Sequence, residues 1–342
     1  MASKQKSVTK IAINGFGRIG RAAFKIALTK PGLKVAAIND LMTPEVLAHL
    51  LKYDTVYGVY DKEVSFDNKH LIVDGVKYLV TSEKEPDKLP WGKLGVTAVL
   101  ECTGRFTKKQ DASLHLKAGA QKVILSAPAK GGELPTVILG VSDLDKVDGK
   151  IVSNASCTSN CIIPIAQVIQ ENFRIHKAMM TTIHSYTAEQ NLVDGPPPAK
   201  HNDMRRARAA AQNIVPTSTG AALAASEVIP KLKGIFDGLA VRVPTVCVSL
   251  SDFTFLVREK NLTVAKVNAA FKKAARSKQY RDILQVTDQP LVSSDFIGNP
   301  ASVIVDLSLT QVVDGNMVKI IGWYDNEWGY SNRLVELAEK IS

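Results

Sequence analysis

The chain has 342 residues, of which 45% are hydrophobic and 22% are charged. This is the composition of an ordinary globular protein, and it excludes a mostly disordered or collagen-like chain. Lysine and arginine number 43 against 33 aspartates and glutamates, a net charge of +10 that attracts phosphates, nucleotides or nucleic acid without selecting among them. The length predicts about two domains.

The sparse cysteines predict neither a disulfide scaffold nor a metal site. Cys102, Cys157, Cys161 and Cys247 include no CxxC pair and no tetrahedral zinc set. The N-terminal segment is polar, and no apolar run approaches the ~18 residues that span a bilayer. We therefore expect a cytoplasmic protein with no metal ion and no membrane partner.

The first half of the chain shows the pattern of a doubly wound α/β domain. Apolar runs at residues 8–14 and 35–39 flank a segment of helical periodicity at 18–29, which together predict a βαβ unit. Further strand-like runs lie at residues 98–102, 122–126, 136–140 and 151–153, and a helical segment lies at 108–118. We expect a largely parallel sheet over residues 1–156.

The second half shows a different pattern. A helical segment at residues 161–171 leads into strand-like runs at 178–184, 239–242, 245–250, 253–257, 304–307 and 317–323. Several strands with two or three helices predict an α+β domain with a mixed sheet over residues 157–328. The last segment, 329–341, has apolar residues at helical spacing.

A glycine-rich turn follows the first predicted strand and opens the first predicted helix. Gly15, Gly17 and Gly20 form the pattern GxGxxG, which lets the chain turn, approach a pyrophosphate and pack helix on strand. Asp40 ends the second predicted strand, where a carboxylate accepts from a ribose 2′-hydroxyl and repels a 2′-phosphate. The pattern predicts a Rossmann-type domain that prefers NAD to NADP, although a purely structural turn gives the same local sequence.

The segment SNASCTSNC, residues 153–161, is unusually polar for the start of an apolar helix. Ser156 is a candidate N-cap, which places Cys157 in the first helical turn, where the helix dipole lowers a thiol pKa. Cys161 lies one turn further and is expected to pack as a small apolar residue. On this pattern alone Cys157 is either a nucleophile or a structural cysteine.

A cysteine nucleophile needs a base, and His184 is the strongest candidate. It ends an apolar run, MMTTIHSYT, where a predicted strand passes into a loop. The other histidines lie among lysines or on predicted surface faces. The pairing of His184 with Cys157 is a hypothesis that the fold must test.

Eight sequence motifs between residues 11 and 333 together resemble those of one protein family. They are INGFGRIGR, AIND, LLKYDTVYG, SNASCTSNC, TTIHSYT, RRARAAAQNIVPTSTGAA, RVPT and WYDNEWGYSNR. In sequence and in order they resemble the phosphorylating glyceraldehyde-3-phosphate dehydrogenase family. The resemblance covers nearly the whole chain.

The resemblance implies oxidation of D-glyceraldehyde 3-phosphate with NAD and inorganic phosphate to 1,3-bisphosphoglycerate, in glycolysis and gluconeogenesis. It implies that Cys157 forms a thioester and that His184 moves the protons. It also implies a homotetramer, and a C-terminal helix, residues 329–342, that packs back on the first domain.

The resemblance also implies roles for individual residues. Those near NAD are Gly15, Gly17, Arg18, Ile19, Gly20, Asp40, Lys84, Ser126 and Asn326. Those for the substrate's C3 phosphate are Thr187 and Arg242, and those for the attacking phosphate are Ser156, Thr158, Thr219 and Gly220. The segment 192–204, LVDGPPPAKHNDM, departs from the family pattern because it is proline-rich and longer than expected, which leaves cofactor preference and subunit packing open.

Alternatives of the same build are an erythrose-4-phosphate dehydrogenase and a semialdehyde dehydrogenase. Thr219 and Gly220 argue against the first, and the combination of HSYT, RVPT and WYDNEWGYS argues against the second. A nucleic-acid-binding protein is the alternative of another class, supported by the basic net charge and by Arg205, Arg206 and Arg208. Because these arginines equally suit salt bridges or a subunit interface, we do not expect nucleic acid to be the main partner.

Overall fold

The computed structural model describes residues 8–197 and 203–342. These residues form two units. One contains the residues up to Val137 together with Asp143–Ala155 and Ser331–Ser342, and the other contains Ile138–Ser142 and Ser156–Tyr330. Among the described residues, no helix is both long and apolar enough to cross a membrane.

An open sheet forms the frame of the first unit. The strands of this unit are β1 (Thr9–Asn14), β2 (Leu33–Asn39), β3 (Tyr53–Asp54), β4 (Gly58–Val59), β5 (Val64–Phe66), β6 (His70–Val73), β7 (Val76–Thr81), β8 (Ala98–Glu101), β9 (Lys122–Leu125) and β10 (Ile151–Ser153). The helices are α1 (Arg18–Ala27), α2 (Pro44–Lys52), α3 (Trp91–Leu94) and α4 (Lys109–Lys117). β3 and β4 pair only with each other.

The eight remaining strands lie in the order β10-β9-β8-β1-β2-β7-β6-β5. The strands from β10 to β7 are parallel, and β6 and β5 form an antiparallel edge. β8 is buried along its whole length, as expected of a parallel strand covered on both faces. The expected α/β class is confirmed.

Two segments in the first half of the chain differ from the expectation. Residues 136–140 do not form a strand: Thr136 makes only an isolated parallel bridge to Ser153, although Val137 and Ile138 are fully buried. An apolar run indicates burial, and burial alone does not impose strand geometry. Strands β5, β6 and β7 were not predicted because most of their side chains are at least partly exposed and break the apolar pattern.

The glycine turn after β1 shows why small residues are needed there. Gly15 has a positive φ of 91°, which favours glycine. A methyl group added at Gly20 would lie 2.1 Å from the Gly15 carbonyl oxygen, so that helix α1 could not pack on the turn. A methyl group added at Gly17 would meet no atom within 4 Å.

A mixed sheet forms the frame of the second unit. Its strands are β11 (Ile175–Ser185), β12 (Val215–Ser218), β13 (Phe236–Val243), β14 (Ser249–Val257), β15 (Leu284–Thr287), β16 (Val303–Val313) and β17 (Met317–Tyr324), in the order β12-β13-β11-β14-β17-β16-β15. The helices are α5 (Cys157–Phe173), α6 (Ala221–Val228) and α7 (Val264–Ala275). β11 and β13 are parallel, as are β15 and β16, and the other pairs are antiparallel. The expected mixed sheet is therefore confirmed.

The runs predicted at residues 245–250 and 253–257 do not form two strands: residues 249–257 form the single strand β14, and residues 245–248 lie before it. Strand β14 begins at Ser249, and Val248 before it has a positive φ of 69°, a conformation that ends the extended run. The last helix, α8 (Trp328–Ile341), ends in the first unit. There Glu336 lies 3.6 Å from the Lys30 ammonium, and the Lys122 ammonium donates to the Ile341 carbonyl.

The packing of α1 on its turn gives a matched pair of substitutions. Gly20→Ala should destabilise the protein by about 2 kcal/mol, since overpacking against main chain costs about 1–3 kcal/mol. Gly17→Ala should leave the thermal unfolding midpoint within about one degree of wild type, because its methyl group meets no neighbour. Equal midpoints for the two variants would contradict this account of the turn.

Candidate active site

Cys157 is the first residue of helix α5, and Ser156 caps that helix. The Ser156 hydroxyl accepts from the Ser159 N–H at 3.0 Å, the local bond that the polar segment predicted. The Cys157 side chain is partly exposed. Its Sγ lies 3.4 Å from His184 Nε2, so the structure brings together the two residues that the sequence could only suggest.

His184 is buried near the end of β11 and is fixed in one orientation. Its Nδ1 lies 2.7 Å from the Ser185 carbonyl oxygen, which can only accept a hydrogen bond. The Nδ1 atom therefore carries the proton, and in the neutral ring the lone pair of Nε2 faces the thiol. This is the tautomer that a general base for Cys157 needs.

The electrostatic surroundings of Cys157 and His184 favour a neutral pair. Burial, and to a smaller extent the nearby Arg242 cation, lower the pKa of His184 to about 3. Burial also raises the pKa of the Cys157 thiol, against the opposing effect of Arg242 and of hydrogen bonds from Thr158. This direction is opposite to the one expected from the helix dipole, because desolvation of the thiol outweighs the charge-stabilising groups around it.

Arg242, on strand β13, lies close to Cys157 and His184. It is in register with His184 on the parallel strand β11, so the two side chains lie on the same face of the sheet. Its Nη1 donates to the Ser185 carbonyl at 3.0 Å and to the Thr187 hydroxyl at 3.3 Å. Thr187 and Arg242, predicted as a pair, are therefore in contact.

Glu189 and Arg206 belong to the same cluster as Arg242 and Thr187. The sequence did not identify either of them as a site residue. Glu189 accepts from Arg242 Nη2 at 3.2 Å and from Arg206 Nη1 at 2.6 Å. Arg206 is buried and also donates through Nε to Thr217. One carboxylate thus faces two guanidinium groups, an excess of positive charge that suits an anion. The RRAR segment was the available signal, but the sequence does not distinguish its buried arginine from the exposed ones.

The residues predicted to bind the attacking phosphate lie in different local environments. Thr158 is buried, and its hydroxyl lies 3.0 Å from that of Tyr324, which also contacts Thr182. Thr219 lies before α6, and its hydroxyl accepts from the Ala221 N–H at 3.3 Å. Gly220, which precedes α6, is exposed.

The predicted cofactor residues of the first unit follow the carboxyl ends of parallel strands. The glycine turn follows β1, Asp40 follows β2, and the Asp40 carboxylate accepts from the Phe16 N–H at 2.7 Å. Arg18 and the half-buried Ile19 begin helix α1, and Arg18 donates to Asp54 at 2.7 Å. Carboxyl-end turns are where doubly wound sheets bind nucleotides.

Three more predicted residues lie in different places. Lys84 is exposed in the loop after β7, and Ser126 directly follows β9. Asn326 belongs to the second unit, where its side-chain oxygen accepts from the Ser249 hydroxyl at 3.0 Å. The segment 192–204 is described only in part, because residues 198–202 lie outside the described residues.

The first unit fits a dinucleotide. Helix α1 has no side-chain cap at its N-terminus, and the space in front of Gly17 is open. Main-chain N–H groups at the start of a helix, with room beside them, suit a pyrophosphate. In the described parts of the chain, no group of His, Cys, Asp or Glu side chains is arranged to hold a metal ion.

A turn that suits a dinucleotide and a thiol with an oriented imidazole base are features of dinucleotide-dependent oxidoreductases that act through a covalent cysteine adduct. Two family models match the chain. The NAD binding domain of glyceraldehyde 3-phosphate dehydrogenase matches residues 9–109, and the C-terminal domain of the same enzyme matches residues 156–326.

Individual relatives agree with these matches. The chain is 51% identical over 336 residues to the glyceraldehyde-3-phosphate dehydrogenase of Geobacillus stearothermophilus, 52% over 338 residues to glyceraldehyde-3-phosphate dehydrogenase 1 of Bacillus subtilis, and 48% over 336 residues to the enzyme of Zymomonas mobilis. Each alignment covers 97% of this chain and 98% of the relative. The chain belongs to the glyceraldehyde-3-phosphate dehydrogenase family, as its motifs predicted, and it is an NAD-dependent oxidoreductase.

The charge of Arg242 should control the reactivity of the thiol. Because the cation lowers the Cys157 pKa, Arg242→Gln should raise that pKa and slow alkylation by iodoacetamide at pH 8 by about three- to tenfold, the effect of half a pKa unit to one unit. Arg242→Lys keeps the charge and should stay closer to wild type. Peptide mass spectrometry would follow Cys157 alone, and equal rates in the three proteins would contradict the assignment.

Proposed function

We propose that the chain oxidises D-glyceraldehyde 3-phosphate with NAD and inorganic phosphate, yielding 1,3-bisphosphoglycerate, as the names of its relatives suggest. The observation that carries the proposal is the 3.4 Å contact between Cys157 Sγ and His184 Nε2, with Nδ1 held by the Ser185 carbonyl. A thiol with a base in the right tautomer forms a covalent adduct with an aldehyde.

The first step follows from the neutral pair. His184 Nε2 takes the thiol proton as Cys157 Sγ attacks the aldehyde carbon, and the imidazolium returns that proton to the new alkoxide. The product is a hemithioacetal beside a neutral imidazole. The main-chain N–H of Cys157 and the imidazolium are the donors for the transient oxyanion.

In the oxidation, His184 Nε2 accepts the hydroxyl proton of the hemithioacetal while the carbon loses hydride. Bound NAD would supply the hydride acceptor, and a thioester remains on Cys157. Attack of inorganic phosphate on that thioester releases the acyl phosphate, and the leaving thiolate recovers its proton from the imidazolium. The same nitrogen therefore works first as a base and then as an acid.

Charged and hydroxyl groups support two anion sites. Arg242 and Thr187 would hold the C3 phosphate of the substrate, and the contact of Arg206 with Glu189 adds Arg206 to that cluster. The attacking phosphate would use Ser156, Thr158, Thr219 and Gly220. Hydroxyls and main-chain groups suit an anion that must enter and leave, whereas guanidinium groups bind more firmly.

For the cofactor, we propose Gly15, Gly17 and Gly20 at the pyrophosphate with Arg18 and Ile19, and Asp40 at the adenosine ribose. Lys84 and Ser126 are further candidates in the first unit, and Asn326 is the candidate for the nicotinamide carboxamide. The first unit is thus the NAD-binding domain and the second the catalytic domain.

We also infer a homotetramer in the cytoplasm, as the family resemblance implies. Met179, Leu239 and Met317 on the second sheet are large apolar side chains with more than a third of their surface exposed, which supports burial against another copy. Nucleic acid is not supported as the main partner, because Arg206 pairs with Glu189 and Arg208 with Asp194.

The direct test measures NADH formation from glyceraldehyde 3-phosphate with and without phosphate. Wild type should be phosphate-dependent, Cys157→Ala should be inactive, and His184→Asn should lose about 10²- to 10⁴-fold in kcat because general base catalysis is removed. Erythrose 4-phosphate and unphosphorylated glyceraldehyde should be poor substrates. Turnover without phosphate would contradict the phosphorylating reaction. Faster turnover of erythrose 4-phosphate would contradict glyceraldehyde 3-phosphate as the substrate.

Asp40 should set the preference between the two nicotinamide cofactors. Asp40→Ala and Asp40→Asn both remove the charge that repels a 2′-phosphate, so the NAD/NADP ratio of kcat/KM should fall at least about tenfold. The Asn variant keeps a side-chain acceptor for the Phe16 N–H and therefore controls for disturbance of the turn. An unchanged ratio in both variants would place the ribose elsewhere.

A further inference from the structure

Behind the glycine turn of the first unit runs a row of buried polar side chains that the proposed reaction does not use. Asn39, Asn14 and Glu101 are the last residues of the adjacent strands β2, β1 and β8, and each is at most 4% exposed. Asn39 Nδ2 donates to Asn14 Oδ1 at 2.7 Å, and Asn14 Nδ2 donates to Glu101 Oε2 at 2.5 Å. The row ends at His115 on α4 and Trp91 on α3.

The protonation of His115 follows from its partners. The Trp91 indole N–H can only donate, and it lies 3.0 Å from His115 Nδ1, so Nδ1 is an acceptor without a proton. The neutral ring then carries its proton on Nε2, which donates to Glu101 Oε2 at 3.0 Å. His115 therefore acts as a fixed hydrogen-bond donor to Glu101.

The other oxygen of Glu101 faces the turn that follows β8. Glu101 Oε1 accepts from the Thr103 main-chain N–H at 2.8 Å and from the Thr103 hydroxyl. Glu101 thus accepts from four donors, and a buried polar group needs such partners to offset its loss of water. Apolar residues would fill the same space without that cost, which indicates that the carboxylate has a positioning role.

The turn at Thr103 packs closely against the glycine turn at Gly15. A methyl group added at Gly15 would lie 2.8 Å from the Thr103 nitrogen and 2.9 Å from its Cγ2 atom, so the two turns are in direct contact. The Cys102 N–H also donates to the Asn14 carbonyl at 2.7 Å, which ties the start of one turn to the start of the other.

We propose that Glu101 is a positioning residue for the dinucleotide, which fixes the Thr103 turn against Gly15 and so holds the pyrophosphate-facing main chain in one place. The inference rests on the proposed cofactor site. It assigns to Glu101 no contact with the cofactor and no part in the chemistry of Cys157. Preorganised main-chain donors bind an anion more tightly because no ordering cost remains at the moment of binding.

Glu101→Gln is the sharpest variant, because it keeps the shape and replaces one acceptor oxygen by a donor that must face other donors. The dissociation constant of NAD, measured by calorimetry on protein purified by gel filtration, should rise about tenfold or more. Alkylation of Cys157 in the absence of NAD should keep its wild-type rate. A purely structural role would lower the unfolding temperature and leave the dissociation constant of the folded protein unchanged, and that result would overturn the proposal.

A second set of variants decides the matter if Glu101→Gln does not fold. Thr103→Val removes the hydroxyl that donates to Glu101 and should weaken NAD binding about threefold or more, while Thr103→Ser should restore it. Thr29→Val removes a hydroxyl from the other end of α1, where it donates to the Ile26 carbonyl, and should bind NAD like wild type. Equal NAD affinity of Thr103→Val and wild type would overturn the proposal, whereas failure of wild type itself to bind NAD would overturn the cofactor site instead.

Discussion

The main-chain carbonyl of Ser185 is the acceptor on which the arrangement of the candidate active site depends. It accepts hydrogen bonds from His184 Nδ1 and from Arg242, two side chains that the parallel register of β11 and β13 places next to each other. The first bond leaves Nε2 as the atom that faces Cys157. The second holds a permanent cation close enough to lower the pKa of both the thiol and the imidazole. One carbonyl therefore sets the tautomer of the base and the position of the charge.

Burial favours a neutral Cys157 thiol beside a neutral His184 imidazole, whereas the helix dipole alone would favour a thiolate. A neutral thiol beside a neutral imidazole is a weaker nucleophile than a thiolate, but it is also less exposed to oxidation, which requires the thiolate. In the proposed mechanism, the thiol proton passes from Cys157 to His184 as the sulfur attacks the aldehyde carbon. An anion bound at Arg242 would offset part of the cation's field, which favours protonation of His184 and disfavours the thiolate. With the proposed role of Arg242 in binding the C3 phosphate, substrate binding and thiol reactivity would be coupled through the same guanidinium group.

Local patterns were enough to predict the glycine turn, the capped helix and the class of both sheets, because each of these is decided by neighbouring residues or by the period of the apolar pattern. The cluster around Glu189 was beyond such patterns. The sequence shows Arg205, Arg206 and Arg208 as similar cations, and only the fold buries Arg206 while leaving the others exposed. The direction of the Cys157 pKa was missed for the same reason, since desolvation depends on every element that packs around the sulfur. Residues 136–140 show the converse, an apolar run that is buried without forming a strand.

The two buried histidines, His184 and His115, show how one hydrogen bond assigns a task to an imidazole. The partner of His184 Nδ1 is a carbonyl, so the far nitrogen is a lone pair and can take a proton. The partner of His115 Nδ1 is an indole N–H, so the far nitrogen carries a proton and can only donate to Glu101. Both rings are almost completely buried. What distinguishes the candidate base from the structural donor in this chain is therefore whether the partner of Nδ1 accepts or donates a hydrogen bond, which neither the burial nor the identity of the histidine reveals.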